Sequence, residues 1–176
     1  MEELGRPIDE HDLDAFESRF QVRLPADYRR WMLAHNGMIY GDPGDPCTFT
    51  YPDVTPDSRI RAEHGTGDAI HIMLSIRPKH QPDHSRFDAR GFPENDLTID
   101  YTWPWMKVRY PLGTMPVADC GCGNTVLMRL SPDAFGEIIL FDHELEGEPN
   151  DGHLVWLAHS FDEFLTMLHP FDPNED

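Results

Sequence analysis

The chain has 176 residues, of which 39% are hydrophobic and 11% aromatic, so it can bury the core of one folded domain spanning residues 1–176 and is not expected to be a disordered tail. Its formal net charge of -18, from 32 acids against 14 Lys and Arg, makes nucleic acid and anionic membranes poor partners, because both carry phosphate. The absence of a long apolar run, the acidic start of the chain and the odd number of cysteines predict a cytoplasmic protein without a secretion signal or a disulfide framework.

Two amphipathic helices are predicted at the start of the chain. In the first, Asp9 is placed as the N-cap, and the apolar residues up to Phe20 recur at the spacing of one helical face. The second opens at Leu24 with Pro25 at the first helical position, and it stops at Asn36-Gly37. We therefore expect a helical hairpin at the N-terminus.

The middle of the chain carries weaker signals. Cys47–Tyr51 has the composition of a strand, and Ala69–Ile76 alternates apolar and polar residues as a half-buried strand does. The stretch from Arg77 to Pro93 has the composition of a long surface loop. Leu97–Trp105 fits both a strand and a helix that breaks at Pro104, and the two alternatives stay open.

The second half of the chain predicts an antiparallel meander followed by one helix. The strands are four short apolar or alternating runs bounded by turn residues: Thr114–Ala118, Thr125–Leu130, Glu137–Phe141 and Leu154–Ala158. Ser160 and Glu163 form the capping box of the last helix, which Pro170 ends. The fold class is therefore predicted as α+β, a mainly antiparallel central sheet with two N-terminal helices and one C-terminal helix packed against it.

No residue pattern predicts an active site, a metal site or a cofactor site. Cys120-Gly121-Cys122 is a poor zinc motif, because structural zinc sites usually place two to four residues between paired cysteines and add a second pair. His80 and His84 cannot share a helix face, since Pro82 lies between them. The sequence predicts a protein that is not an enzyme; an enzyme whose catalytic residues lie far apart in the sequence is the less favoured alternative.

Four segments, in this order, resemble the SUKH superfamily, the Smi/Knr-like domain. They are FQVRLPADYRRWMLAHNG at 20–37, MPVADCGCGNTVLMRL at 115–130, GEIILFDHE at 136–144 and LAHSFDEFLTML at 157–168. Residues 38–111 are longer and richer in His and Pro than the family pattern, so no role is carried over to them. The resemblance implies an α+β fold and, for bacterial members, an immunity protein that neutralises a polymorphic toxin, often a nuclease or a deaminase. Other members are regulatory or scaffold modules, which is the alternative function.

The charge distribution suggests what kind of partner such a protein would bind. After Arg129 the chain has 12 acids and no Lys or Arg, which either keeps the protein in solution or steers a basic protein partner such as a toxin domain. Charged and aromatic residues without an evident structural task are the candidates for partner binding, because such groups dominate protein interfaces. They are Trp103, Trp105, Asp119, Asp142, Glu144, Glu146, Glu148 and Asp151. For the two tryptophans, burial in the core is the competing interpretation.

Overall fold

A computed structural model of the chain describes residues 1–42, 44–52, 67–78, 98–106, 109–121, 123–143 and 154–170, with only the backbone at 105 and 106. The helices are α1 (Glu10–Phe20), α2 (Ala26–His35), α3 (Ile99–Met106) and α4 (Phe161–Met167). The first five strands are β1 (Glu2–Glu3), β2 (Met38–Ile39), β3 (Pro46–Thr50), β4 (Gly67–Ala69) and β5 (Ile72–Met73). The last five are β6 (Thr114–Asp119), β7 (Thr125–Arg129), β8 (Ile138–Phe141), β9 (Leu154–Ala158) and β10 (His169–Pro170).

The strands form two sheets, and every named pair of strands is antiparallel. The larger sheet has the order β1-β2-β5-β6-β7-β8-β9, and the smaller one has the order β10-β3-β4. The predicted meander is the run β6 to β9 of the larger sheet. The α+β prediction is confirmed, and the structure adds α3 and the smaller sheet to it.

The helical hairpin begins at a complete capping box. The Asp9 carboxylate accepts the Asp12 N–H at 3.0 Å, and the Asp12 carboxylate accepts the Asp9 N–H at 3.2 Å. The second helix starts one residue later than predicted: Pro25 is its N-cap, with an extended backbone at ψ 147°, and Ala26 is the first helical residue. The two helices nevertheless cover the stretches that their apolar spacing predicts.

The last helix has half of its predicted capping box. Ser160 Oγ accepts the Glu163 N–H at 3.1 Å, as expected for an N-cap serine. The Glu163 carboxylate instead accepts the N–H of His159, at 2.8 Å, and so stabilises the residue before the cap. The helix ends at Met167, and Pro170 lies in β10, which pairs with β3.

The predicted strand at Ala69–Ile76 is wrong as a single half-buried element. Its first residue, Ala69, ends β4 in the smaller sheet, and Ile72 and Met73 form β5 in the larger one. The N–H of Ile70 donates to Cys47 in β3, and the N–H of His71 donates to Asp119 in β6, so the chain leaves one sheet and enters the other between these residues. Every residue from 72 to 76 is buried, which the alternating sequence does not reveal.

The ambiguous stretch before Trp105 is a helix, and the helix continues through Pro104 to Met106. Proline at this position costs a backbone hydrogen bond. Packing offsets that cost, because Trp103 stacks on Phe16 and Phe20 of α1, with ring centroids 6.4 and 5.2 Å apart. Tertiary contacts, which are invisible in the local sequence, therefore select the helical alternative.

The central strands β7 and β8 of the larger sheet are buried on both faces. Residues of α1, α2 and α4 share one hydrophobic cluster with one face of β7 and β8, including Met128 and Leu140. A second cluster on the other face joins Leu127, Ile139 and Phe141 to Tyr110. Among the described helices, none is long and apolar enough to cross a membrane.

Candidate protein-binding surfaces

One end of the larger sheet collects acidic residues from separate parts of the chain. The pairing register places Asp119, Thr125, Phe141 and Leu154 in one row across β6 to β9. The turn after β6 and the connection after β8 therefore leave the sheet at the same end. We call this region the acidic end and define it by the described residues among 40–47, 67–71, 119–124 and 141–143.

Hydrogen bonds hold the acidic end together. Asn124 is central: its amide donates to the Asp68 carboxylate at 3.0 Å, and its oxygen accepts the backbone N–H of His143 at 3.2 Å. The His143 Nδ1 lies 2.9 Å from the same oxygen. Gly123 has φ 103°, and a Cβ there would lie 2.9 Å from the His143 ring, so this turn favours glycine on both counts.

The predicted acids have different positions in this region. Asp119 is half-buried, and its carboxylate accepts the Gly121 N–H at 2.8 Å. Asp142 is buried, with 0% of its side chain exposed, so it does not lie on the surface. Glu144, Glu146, Glu148 and Asp151 lie outside the described residues. A role in partner binding stays a prediction for all of these acids.

Three further acids at the acidic end were missed by sequence reasoning. Asp42, with 86% of its side chain exposed, and the buried Asp45 lie just after Tyr40, whose N–H donates to His71. The Met1 ammonium lies 3.7 Å from Asp42 and 2.7 Å from Asp45. Asp68 lies in β4 and contacts Asn124. They belong to the region from which no family feature was carried over, and only the strand pairing brings them beside Asp119. None of the described residues of the acidic end is Lys or Arg.

A shallow pocket of about 430 Å³ opens at the acidic end. Its lining includes Tyr40, Cys47, His71 and Cys120. Burial, with smaller contributions from Cys47 and Asp45, raises the pKa of Tyr40 to about 12, so its hydroxyl stays protonated at physiological pH. Within the described part of the chain, no three His, Cys, Asp or Glu side chains are placed to hold a metal ion. Cys122 lies outside that part, so the expected absence of a metal stays a prediction.

Trp103 lies on a different surface. It is 7% exposed and lines a groove of about 420 Å³, which we call the Trp103 groove. The groove is lined by Phe20, Gln21, Val22, Trp103, Pro104, Tyr110, Pro111, Leu112, Gly113 and Thr114. Thr114 begins β6 and Asp119 ends it, a separation of five strand steps or about 17 Å. Trp103 and Asp119 therefore lie near opposite ends of β6. Tyr110, which lines the groove, connects the two regions, because its hydroxyl donates to Thr125 Oγ1 at 3.3 Å and Thr125 pairs with Asp119. The Trp105 side chain is outside the described residues.

A buried carboxylate fixes the helix that carries Trp103. Asp100 is 7% exposed; its Oδ1 accepts from the Arg19 guanidinium of α1 at 3.0 Å, and its Oδ2 accepts the Arg77 N–H at 2.8 Å. Burial raises the pKa of Asp100, and the hydrogen bond from the Arg77 N–H and the charges of Arg19 and Arg77 act in the opposite direction. These contacts tie α3 to α1 and to the chain that follows β5.

The chain as a whole matches a known protein family. The model of the SMI1 / KNR4 family (SUKH-1) matches residues 7–167. No curated protein and no solved structure matches the chain.

Proposed function

This chain belongs to the SMI1 / KNR4 family (SUKH-1), and on that premise we propose that it is a non-enzymatic cytoplasmic immunity protein. It neutralises a basic toxin domain, of the nuclease or deaminase type, by binding it directly. The contact surface is the acidic end. The observation that carries the proposal is that Asp42, Asp68 and Asp119, from three separate strands or loops, lie at the acidic end, whose described residues include no Lys or Arg. The Met1 ammonium offsets one negative charge there through its contacts with Asp42 and Asp45.

The charge of the acidic end suits such a target. A toxin that acts on nucleic acid needs a basic surface to bind phosphate, and an acidic inhibitor can cover that surface. Complementary charge raises the association rate by steering the two proteins during their approach. With a net charge of -18, the whole chain adds to the same field.

The experiment asks whether a neighbouring gene encodes a toxin domain and then measures how fast that domain associates with this chain; a neighbourhood without such a gene would count against the proposal. The variant Asp42→Asn, Asp68→Asn, Asp119→Asn removes three charges, while the Asn side chains can still accept the hydrogen bonds from Asn124 and Gly121. We expect the association rate to fall about tenfold, and the parent rate to fall similarly between low and physiological salt.

The matched control removes three acids that lie away from the acidic end. They are Asp14 on α1, Asp133 in the turn after β7 and Asp162 at the start of α4, all replaced by Asn. Equal effects of the two triple variants would show that only net charge matters. A parent rate that does not respond to salt, or a partner without a basic face, would contradict the proposal and favour the regulatory or scaffold role.

A third variant tests the predicted acids outside the described residues. Glu144→Gln, Glu146→Gln and Glu148→Gln together remove three more charges from the connection that follows β8. If this connection belongs to the interface, the partner is expected to bind more weakly while the melting temperature stays that of the parent, since exposed acids contribute little to stability. Unchanged affinity would restrict the interface to the acids of the described strands and turns.

A further inference from the structure

The Trp103 groove differs in chemistry from the rest of this acidic protein. Eight of its ten lining residues are apolar or glycine, the others being Gln21 and Thr114, and none of the ten is acidic. Leu112, at its edge, is 88% exposed, and Phe20 and Val22 are half-buried. Such a concave apolar surface beside an exposed leucine is typical of a site that receives a large side chain from a partner.

Three arginines are next in the chain to residues that line the groove. Arg19 lies with its guanidinium carbon 5.1 Å from the centre of the Phe20 ring, and its side chain is 59% exposed. Arg23 follows the lining residue Val22, Arg109 precedes the lining residue Tyr110, and both are exposed. The Arg19 guanidinium already pairs with the buried Asp100, so Arg23 and Arg109 are the arginines on which the charge argument depends. In a chain with 32 acids and 14 Lys and Arg, two exposed arginines next to lining residues that include no acid set this surface apart.

We propose that the Trp103 groove is a second docking surface, for a segment of another protein that inserts a large apolar side chain flanked by Asp or Glu. Complementary charge is what selects this occupant: the apolar lining would bury the central side chain, and the arginines would face the flanking acids. A basic partner, by contrast, would meet the like charges of Arg23 and Arg109 here. The proposal does not depend on toxin binding at the acidic end.

The net charge of the chain does not prevent this binding at physiological salt. Charges more than about 8 Å apart are largely screened under those conditions, so the arginines next to the groove act on the segment more strongly than the distant acids do. At low salt the long-range field of the whole protein opposes an acidic segment. The experiment therefore belongs at physiological ionic strength.

The test uses two blocked heptapeptides with the same central Leu-Trp-Leu and two flanking residues at each end, Glu in one and Lys in the other. NMR on the full-length protein follows the Gly113 amide and the Trp103 indole N–H at the groove, and the Gly121 amide at the acidic end. We expect the Glu peptide to shift the two groove signals in a saturable way. The Lys peptide carries the same apolar centre but like charges, so it is expected to shift them only at concentrations more than about fivefold higher, and to shift Gly121 if the acidic end binds basic groups.

Matched variants test the part played by charge. Arg23→Gln with Arg109→Gln is expected to weaken the Glu peptide about fivefold, as for two exposed charge contacts. Arg6→Gln with Arg30→Gln, two exposed arginines away from the groove, is expected to leave its affinity unchanged. Groove signals that respond to neither peptide, or equally to both, would overturn the proposal, as would equal effects of the two double variants. Groove shifts that depend only on protein concentration would assign the groove to a second copy of the chain.

Discussion

At the scale of single residues, two polar side chains show what local sequence reveals. Asn36 was predicted only as a helix stop, and its left-handed φ of 43° fits that role. The structure adds that its buried side chain donates to the carbonyls of Arg6 and Ile76 and accepts the Ile76 N–H at 2.8 Å. A helix stop depends on neighbouring residues, so the sequence predicts it. A hydrogen bond between residues 40 positions apart depends on the fold, so the sequence alone does not predict it.

Asp100 predicts a specific dependence of stability on pH. Its pKa is raised in the folded state, so between the unfolded value near 3.8 and the folded value the native protein binds more protons than the unfolded chain. The contribution of this group is therefore largest below pH 3.8 and is lost as the pH rises through the folded pKa. We expect Asp100→Asn to remove this pH-dependent loss.

The measurement is the free energy of unfolding in urea between pH 3 and pH 7. The stability of the parent relative to Asp100→Asn should decrease as the pH rises. Asp133→Asn, at an exposed position, controls for the loss of one charge. A parent that instead gains stability relative to Asp100→Asn over this range would show that the Arg19 ion pair outweighs the desolvation of the carboxylate.

At the scale of elements, one arginine links the two helices of the hairpin, in addition to their apolar packing. Arg29 of α2 contacts three acids spaced along α1: Glu10, Asp14 at 2.9 Å and Glu17 at 2.8 Å. Glu17 is mostly buried and also accepts the Leu24 N–H at 2.7 Å, so it fixes the connection between the helices. The hairpin itself was predictable from apolar spacing, but the bridging role of Arg29 requires the angle between the helices.

We expect Arg29→Met to lower the free energy of unfolding by about 1–2 kcal/mol, because three acids then repel one another along α1 without a cation. Arg30→Met is the control, since Arg30 makes a single ion pair with Asp162 and both side chains are more than half exposed. Its expected cost is below about 0.5 kcal/mol. Part of the Arg29→Met loss should return at high salt. Equal costs for the two variants would assign the hairpin's stability to apolar packing alone.

At the scale of the whole molecule, two regions differ in chemistry: the acidic end is anionic, and the Trp103 groove is apolar. The sequence predicts the overall acidity and most of the sheet, because charge counts and strand periodicity are local properties. It does not predict that Asp42 and Asp68 lie at the same end of the fold as Asp119, or that Trp103 and Asp119 lie near opposite ends of β6, because both depend on strand pairing. A protein with two such surfaces could bind two partners at once, which relates the regulatory or scaffold alternative to the Trp103 groove.

The passage of the chain from the smaller to the larger sheet also bears on how the protein opens. Adjacent residues belong to different sheets: the Ile70 N–H bonds to Cys47 at 2.7 Å and the His71 N–H to Asp119 at 2.8 Å. Separating either sheet would pull on a backbone that the other still holds, so the two are expected to open as one cooperative unit. Amide hydrogen exchange at Ile70 and His71 should therefore report the same opening free energy, and both values should fall together when Phe49→Leu loosens the smaller sheet. Exchange at Ile70 alone becoming faster would mean that the smaller sheet detaches independently while the meander stays closed.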